Sequence, residues 1–541
     1  MEPQRAQNST ENSAHFPPSL TARLRIPDWL LLIAVCAFFF FWKLSAFGLI
    51  GADEPRYAQV AREMLQRHDW VTPTLGDVPW LEKPPLYYWQ AMIAYRLFGV
   101  GDWAARLPSA CDATLLVLGV YWLVRKLRRG SELDAALVPA TCAGVVGYAR
   151  AASMDIALCA TFTLAMLSWY FWNDGRDRKF LALTYLFLAL AMLAKGPVAP
   201  FLALLVIACF AAVHKQAEIL TRTFWLPGII LFLIVSTPWY IAVQLRNPRF
   251  FRVFLLEHNL ARFATNLYHH PEPFWYYVPV TLLGWMPWAA LLIAALAWWM
   301  RGSREVPDRL NTFLAIWITV IVLFFSISQS KLPGYVLPAI PAGAVLVSQW
   351  MRTRFGDRPT PIIAALHALA ASALIFPALM IQYIVLDAHS LWTRAVVVPM
   401  MVTFVLLLSV FLLLWRFGWR MLRVATLAPA IVVVAVVLRL GSASLNQRLS
   451  ARSVAEVLSR YDRGHLPVAT LLVPRETEFG LAFYHNQVIP RYEVGQLPAT
   501  EHLLVAAQGY QKGMETRAGR KAVFLENLAQ QKLDLYYIAA K

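Results

Sequence analysis

The sequence predicts an α-helical protein that crosses a membrane many times and ends in a small domain outside the membrane. Of its 541 residues, 59% are hydrophobic and 15% are charged, and the mean hydropathy is +0.51. Soluble domains carry about 25% charged residues. The apolar residues form continuous runs of roughly 20 rather than alternating patterns, which favours spanning helices over a β-barrel.

About thirteen apolar runs satisfy the length that a spanning helix needs. Pro197 is taken to separate two spans; one long kinked segment around Lys195 is the alternative, and it would reverse the orientation of everything downstream. The predicted spans lie near residues 29–50, 104–124, 134–150, 153–173, 180–196, 197–213, 223–243, 274–300, 309–328, 334–351, 361–386, 395–415 and 422–440.

Basic residues predict the orientation, because cytoplasmic loops collect Lys and Arg. The segment "RKLRRG" after the second predicted span is one such loop, and alternate later loops are also basic. The N-terminal segment 1–28 is therefore predicted to be cytoplasmic, and the first span is predicted to be a retained anchor. Most of the net charge of +17 lies in these inside loops, so the charge does not indicate nucleic-acid binding.

Two segments within the membrane domain 29–440 are too long and polar to be simple turns. The segment 51–103 contains "EPRYAQVAREMLQRHDW" and "LYYWQAMIAYRLFG", two predicted helices of the kind that lies in a membrane interface. The segment 244–273 is the other. Both are predicted to lie outside, on the same side as the tail.

The tail, residues 441–541, has the composition of a soluble domain. "SVAEVLSRYD" predicts a helix, and "LPVATLLVP", "HLLVAAQ" and "KLDLYYIAA" predict strands, so a small α/β domain is expected. All five cysteines fall inside or at the ends of predicted spans, and their pattern indicates neither disulfides nor a zinc motif.

The first candidate site follows the first span, in "GADEPRYAQV". Asp53 and Glu54 are adjacent acids, and Arg56 and Tyr57 come directly behind. A solvated helix start is the alternative, because the helix dipole favours acids there and Pro55 suits a first turn.

The second candidate is "LEKPPLYYW", with Glu82, Lys83 and Tyr87; an interfacial aromatic belt with stray charges is the alternative. The third is Asp155, at the start of the fourth predicted span. An ionisable residue that faces a bundle interior is functional by default, whereas one at a span end can simply reach water.

The fourth candidate combines "EHNLARF", which contains His258 and Arg262, with the later His270. Both histidines are candidate metal ligands together with Glu82, since imidazole and carboxylate suit a divalent ion. Hydrogen-bonded surface histidines are the alternative. The fifth is "SKLPGYVLPAIPA", where Lys331 and Tyr335 suit an anionic headgroup and a kinked span entry is the alternative.

Carboxylates, cations and a possible metal ion at a membrane surface fit transfer of a sugar from a lipid phosphate. The leaving phosphate develops negative charge, which Lys, Arg or a divalent ion stabilises. A carboxylate can activate a nucleophile or stabilise an oxocarbenium-like centre.

The motifs "LEKPPLYYW", "AKGP", "EHNLARF", "PFWYYVP" and "KLPGYVLPAIP", with the acids of the first outside loop, resemble the GT-C polyprenyl-phosphate-dependent glycosyltransferases. Within them they are most similar to the bacterial branch that moves 4-amino-4-deoxy-L-arabinose from undecaprenyl phosphate to lipid A. The similarity is strong over about residues 45–345.

This resemblance implies a monomeric, inverting enzyme of the bacterial inner membrane, with about thirteen spans, two juxtamembrane helices and a periplasmic tail. It implies that Asp53 is the key catalytic residue, that Asp155 is the second carboxylate and that Glu54 supports them. Glu82 with His270, or in second place His258, would hold Zn, Mg or Mn. The residues expected to bind the lipid phosphate or substrate are Arg56, Tyr57, Lys83, Tyr87, Arg262, Lys331 and Tyr335.

Two other functions fit the sequence less well. The first is a protein O-mannosyltransferase or another sugar transferase on the same fold. The sequence separates it poorly from the arabinose transferase, because the residues that contact the donor headgroup are few and scattered. A lipid or sugar transporter would usually carry a chain of ionisable groups through the span centres, and the sequence shows no such chain.

Overall fold

A computed structural model describes residues 27–261, 272–302, 308–354, 357–385, 395–462, 466–495, 497–510 and 519–540. These residues form a bundle of membrane helices, a layer of two shorter helices on one end of the bundle, and a small α/β domain that contacts this layer. The protein is a multi-pass membrane protein.

The helices are given in chain order. They are α1 (Asp28–Cys36), α2 (Asp53–Gln66), α3 (Leu86–Phe98), α4 (Asp102–Leu127), α5 (Glu132–Thr141), α6 (Ala143–Ala149), α7 (Asp155–Gly175), α8 (Arg178–Lys195), α9 (Val198–Val213), α10 (Glu218–Thr223), α11 (Leu226–Arg246), α12 (Tyr277–Gly284), α13 (Ala289–Gly302), α14 (Arg309–Ile327), α15 (Ala339–Arg354), α16 (Pro361–Ser372), α17 (Ile375–Val385), α18 (Val397–Phe417), α19 (Leu422–Val436), α20 (Ser442–Leu449), α21 (Ala451–Tyr461) and α22 (Arg475–His485).

Within the described residues, six helical segments are long and apolar enough to cross a membrane, and a bent pair would make a seventh. The segment Val397–Leu449 contains 53 residues and joins α18 to α20 through short irregular turns. A helix of that length would measure about 80 Å, more than twice the thickness of a hydrocarbon core. The count of thirteen spans therefore stays a prediction, while the membrane-spanning character is confirmed.

Three predicted spans are interrupted. The predicted span 274–300 is bent, because α12 and α13 meet at an angle of 113° beside Pro287, whose ring lacks the N–H that a continuous helix needs. That these two helices together make one span stays a prediction. The predicted span 134–150 breaks at Cys142, where the backbone N–H of Ala143 donates to Met286 O at 2.8 Å. The first span, 29–50, is helical only to Phe41.

The helices α2 and α3 confirm the two helices predicted in segment 51–103. Tyr57, Val60, Ala61 and Met64, which share one face at helical spacing, are all buried, and α3 contributes its tyrosines to the same core. A two-stranded hairpin, β1 (Thr74–Leu75) and β2 (Val78–Pro79), lies between them.

The tail forms the predicted α/β domain around one mixed sheet. Its strands are β3 (Val468–Leu471), β4 (His502–Ala507), β5 (Ala522–Leu528) and β6 (Leu533–Ile538), in the order β3-β4-β6-β5. Strands β3 and β4 are parallel, and the other pairs are antiparallel. The sequence predicted α21, β3, β4 and β6 but missed α22 and β5.

A buried ion pair joins α2 to α4. The side chain of Arg106 is fully buried, and it donates to both carboxylate oxygens of Glu54, from Nε at 3.0 Å and from Nη2 at 2.7 Å. Its remaining donors reach the backbone carbonyls of Leu44, Phe47 and Gly48 at 2.8–3.0 Å. These carbonyls explain why the first span stops early: the chain turns so that they face a guanidinium instead of continuing a helix.

The tail domain is fixed to the same place. Tyr484 Oη accepts from the backbone N–H of Leu49 at 2.8 Å and donates to Asp102 Oδ1 at 2.7 Å. Arg452 Nη1 donates to the other oxygen of Asp102 at 2.8 Å. The turn after the first span, α4 and the tail domain therefore share one polar network.

We predict that Arg106→Met destabilises the protein by about 3–5 kcal/mol, because it leaves the carboxylate of Glu54 buried without its cation. Arg128→Met at the far end of α4 is the matched control, because Arg128 and its partner Asp308 are more than a third exposed; it should cost about 1 kcal/mol or less. The free energy of unfolding can be measured by SDS titration in mixed micelles. Equal losses in the two variants would contradict the prediction.

Candidate functional site

The two predicted catalytic aspartates are the first residues of α2 and α7. A helix N-terminus stabilises a carboxylate through its unpaired N–H groups and its dipole. Asp53 and Asp155 both lie within electrostatic range of Tyr57 and Tyr148, so the fold brings the two helix starts to one place. Helix α7 is buried along most of its length, so Asp155, its first residue, lies within one end of the bundle.

Asp155 is held by a cation that the sequence analysis did not select. Lys195, the last residue of α8, forms an ion pair with Asp155 Oδ1, and Ser153 Oγ donates to Oδ2 at 2.8 Å. Lys83, a predicted phosphate-binding residue, also lies within electrostatic range of Asp155. The sequence feature that could have identified Lys195 is "AKGP", which interrupts two apolar runs. In the structure Gly196 adopts a φ of 89°, so α8 ends at Lys195.

The "KLPGY" segment also packs against Asp155. A Cβ atom on Gly334 would lie 2.7 Å from both Asp155 Oδ1 and Tyr148 Oη, so the backbone approaches these groups as closely as only glycine allows. One residue further on, the ring of Tyr335 lies 4.8 Å from Lys195 Nζ in a cation–π contact. Tyr335, a predicted substrate-binding residue, therefore borders the site.

Asp53 and Arg56 form the second half of the site. They make an ion pair across one turn of α2, and the side chain of Asp53 is 58% exposed whereas that of Arg56 is 13% exposed. The guanidinium of Arg56 lies 5.1 Å from the rings of both Tyr57 and Trp80, and 5.8 Å from the ring of Phe479 in the tail domain. Stacking on aromatic faces holds the cation in place without neutralising it.

Tyr57 adds a neutral hydroxyl beside this cation. Arg56 Nη2 donates to Tyr57 Oη at 3.4 Å, and burial raises the pKa of the Tyr57 phenol above its usual value. The hydroxyl therefore stays protonated at physiological pH and can donate a hydrogen bond to an anion.

Two predicted residues have structural partners instead. Glu54 is bound by Arg106 and by the backbone N–H groups of Ile50 and Ala152, each at 2.7 Å, which agrees with its predicted supporting role. Tyr87 is fully buried, and its hydroxyl donates to Ala105 O at 2.8 Å. The structure thus gives Tyr87 a packing role between α3 and α4, and its contact to substrate stays a prediction.

Lys331 is also engaged by the protein. It is buried, and its Nζ donates to the backbone carbonyls of Ser328 at 2.6 Å and Glu272 at 2.9 Å. These bonds tie the entry of the "KLPGY" turn to the segment before α12. The predicted contact of Lys331 with an anionic headgroup stays a prediction.

The predicted metal ligands are only partly described. His258 Nε2 lies 3.6 Å from Glu82 Oε1, and Glu82 is within electrostatic range of Arg56. Arg262 and His270 lie outside the described residues. Among the residues that are described, no group of three His, Cys, Asp or Glu side chains could hold a metal ion. Glu82 and His258 are therefore two candidate ligands, one fewer than a catalytic zinc site usually has.

Two apolar cavities adjoin the site. One, of about 320 Å³, contains Tyr148 and Pro333 in its wall, next to Asp155. The other, of about 470 Å³, lies beside the Glu54–Arg106 pair and is bordered by α19 and the Met286–Pro287 bend. Such space between spans suits the isoprenoid part of a lipid.

A sequence-family model described as dolichyl-phosphate-mannose-protein mannosyltransferase matches residues 82–241. This match covers α3 to α10 and most of α11, including Lys83, Asp155 and Lys195.

Relatives and a solved structure extend the comparison. An undecaprenyl phosphate-alpha-4-amino-4-deoxy-L-arabinose arabinosyl transferase of Yersinia pestis is 33% identical over 306 residues, 55% of this chain and 54% of the relative. The protein of the same name from Edwardsiella ictaluri is 31% identical over 340 residues, 62% and 61% of the two chains. The chain thus matches less than two thirds of the length of these relatives. The crystal structure of ArnT from Cupriavidus metallidurans bound to undecaprenyl phosphate superimposes with a TM-score of 0.78 at 21% identity, covering 94% of this chain and 97% of that one.

The chain has the GT-C fold. The resemblance stated from the sequence motifs is thereby confirmed, both by the relatives and by the superposition over nearly the whole chain. In this fold the segment 51–103, the start of α7 and the end of α8 form one site, which we call the two-aspartate cluster: Asp53, Arg56, Lys83, Asp155 and Lys195.

We predict strong energetic coupling between Asp155 and Lys195. Each single variant, Asp155→Asn or Lys195→Met, leaves a partly buried charge alone, and the double variant removes both charges. The double variant should recover about 1–3 kcal/mol relative to the sum of the single losses in an SDS unfolding titration.

The exposed pair of Glu218 and Arg222 gives the matched control cycle, because both side chains are more than half exposed. Its coupling should be about 0.5 kcal/mol or less. Additive losses for Asp155 and Lys195 would show that the two side chains do not interact in the folded protein.

Proposed function

We propose that this protein transfers 4-amino-4-deoxy-L-arabinose from undecaprenyl phosphate to a phosphate group of lipid A. The observation that carries the proposal is the convergence of Asp53 and Asp155 with three cations beside apolar cavities at one end of a membrane bundle. The names of the relatives and of the superimposed structure support this donor and sugar.

The chemistry that such a site can perform is a displacement at the anomeric carbon of the sugar. The bond from this carbon to the donor phosphate oxygen breaks, and a bond to an oxygen of the acceptor phosphate forms on the opposite face. The leaving phosphate takes the electron pair, and Lys83 and Arg56 would stabilise its charge. Since the acceptor phosphate is already anionic, no strong base is required.

The two aspartates then have separate tasks. Asp53 is the more exposed of the two, and it would orient the acceptor or the amine of the sugar. Asp155 is held by Lys195 and Ser153 in one orientation, and it would stabilise the positive charge that develops on the sugar ring. The prepared orientation matters because a carboxylate that need not reorganise stabilises the transition state more strongly.

The expected location is the bacterial inner membrane, with the N-terminus in the cytoplasm and the two-aspartate cluster in the periplasm. The distribution of basic residues supports this orientation. Helix α15 runs from the "KLPGY" turn beside Asp155 to Arg354, and basic residues collect at that second end.

We predict that Asp53→Asn abolishes transfer in cells with the fold intact, because a neutral amide does not attract the protonated amine of the sugar as a carboxylate does. Lipid A from a transferase-deficient bacterium that expresses each variant is compared by mass spectrometry. The natural protein should add the mass of aminoarabinose, and the variant should add less than about one hundredth as much.

Asp77→Asn is the control for this experiment. Asp77 lies in the same outside loop, its side chain is exposed, and its left-handed backbone (φ 61°) is one that asparagine also accepts. This variant should keep full transfer. Full transfer by Asp53→Asn as well would refute the role of Asp53.

A second candidate function is transfer of a hexose to protein, which the description of the matching family model favours. A Ser or Thr hydroxyl is a weaker nucleophile than a phosphate, so Asp53 would then act as the general base. Unmodified lipid A together with new hexoses on periplasmic proteins would favour this function.

The proposal includes a divalent ion, which would lie near the donor phosphate together with Lys83 and Arg56. Glu82 and His258 fit as two ligands, with His270 as the expected third, and the ion would add positive charge at the leaving group.

We predict that EDTA lowers the transfer rate of the purified protein at least tenfold and that one of Zn²⁺, Mg²⁺ or Mn²⁺ restores it. Glu82→Gln should lower the affinity for that ion about 10–100-fold. A transfer rate that EDTA does not change would refute the involvement of a divalent ion.

A further inference from the structure

The end of the bundle opposite the two-aspartate cluster contains a cavity of about 720 Å³. It lies between the end of α13, the end of α15 and the start of α16. Helix α15 spans 16 residues, or about 24 Å, and it begins directly after the turn that contacts Asp155. The cavity is therefore separated from the site of transfer by most of the thickness of the membrane.

Three arginines line this cavity: Arg301, Arg354 and Arg358. All three are exposed. Asp357 lies at its edge, and its Oδ2 is 3.6 Å from Arg354 Nη1. Among the described residues around the cavity, one carboxylate beside three guanidinium groups leaves a net positive charge, which is complementary to an anion.

The remaining walls are apolar and aromatic. Trp350 and Trp419 are buried and meet edge to face, with ring centroids 5.2 Å apart, and Trp298 is half-buried beside them. Ile293 and Leu366 line the side of the cavity, and each is more than half exposed. The cavity thus has a charged end, then tryptophans, then an exposed apolar side. This order matches the order of headgroup, interface and acyl chain in a lipid leaflet.

The floor of the cavity is fixed in shape. Gly418 has a φ of 70°, and a Cβ atom there would lie 2.9 Å from the backbone oxygen of Asp357, so the segment that carries Arg358 packs directly on the turn between α18 and α19. Trp419 N donates to the same oxygen at 3.5 Å. The arginines are thus presented by helix ends and a packed turn.

We propose that this cavity binds one anionic phospholipid of the leaflet opposite the two-aspartate cluster. The arginines would hold the phosphate, and the acyl chains would lie along Ile293 and Leu366. Basic pockets between spanning helices are suited to anionic headgroups, with a contribution of about fivefold in affinity per basic residue. The exposed apolar side favours a lipid over a free phosphate ion, because a soluble anion would leave that surface unused.

Binding can be measured with the full-length protein, delipidated in a neutral detergent and titrated with phosphatidylglycerol in native mass spectrometry. The test variant is Arg301→Gln with Arg358→Gln, which leaves the Arg354–Asp357 pair intact. The control is Arg416→Gln with Arg420→Gln, which removes the same charge from two exposed arginines near the same end of the bundle that do not line the cavity. Phosphatidylcholine and inorganic phosphate are the comparison ligands.

We expect the test variant to bind phosphatidylglycerol about 25-fold more weakly and the control variant to bind it as the natural protein does. Phosphatidylcholine should bind weakly to all three proteins, and millimolar inorganic phosphate should not displace the bound lipid. Equal losses in both variants would refute the proposal in favour of general charge attraction. Displacement by inorganic phosphate would refute it in favour of a small-anion site.

Discussion

The buried pair of Glu54 and Arg106 is the interaction on which the rest of the structure depends. Arg106 donates hydrogen bonds to Glu54 and to backbone carbonyls that follow the first span. Glu54 also accepts hydrogen bonds from the backbone N–H groups of Ile50 and Ala152. Glu54 follows Asp53 directly, and Ala152 lies three residues before Asp155. The Glu54 carboxylate therefore sets the separation of the two aspartates. Its loss would release both segments and leave the guanidinium of Arg106 buried without its anion.

This arrangement divides the work between neighbouring acids. Glu54 is buried and fully bonded, so it is structural, whereas Asp53 points to water beside an arginine that aromatic rings hold in place. The tail domain belongs to the same arrangement, because Phe479 completes the stack on Arg56 and Tyr484 is bonded to the turn after the first span. Its position shapes the site although it brings no acid or base of its own to the two-aspartate cluster.

Sequence reasoning succeeded where a pattern is local. The spacing of Tyr57, Val60 and Met64 predicted α2, and the β-rich runs of the tail predicted three of its strands. It failed where distant segments decide the structure. The bend between α12 and α13 lies where Met286 accepts a hydrogen bond from Ala143, a residue distant in sequence, and the role of Lys195 depends on packing that brings α7 and α8 together. The hydrogen bond from Tyr87 to Ala105 was not foreseen for the same reason, since Ala105 lies in another helix.

The central claim is that the donor phosphate binds at the two-aspartate cluster, and a structure of this protein with undecaprenyl phosphate tests it most directly. A cryo-electron microscopy map of the complex in lipid nanodiscs would show where the phosphate lies. The account predicts phosphate density within hydrogen-bonding distance of Lys83 or Arg56, with the isoprenoid chain entering an adjoining apolar cavity. Phosphate density at another place, with Lys83 and Arg56 both out of reach, would contradict it.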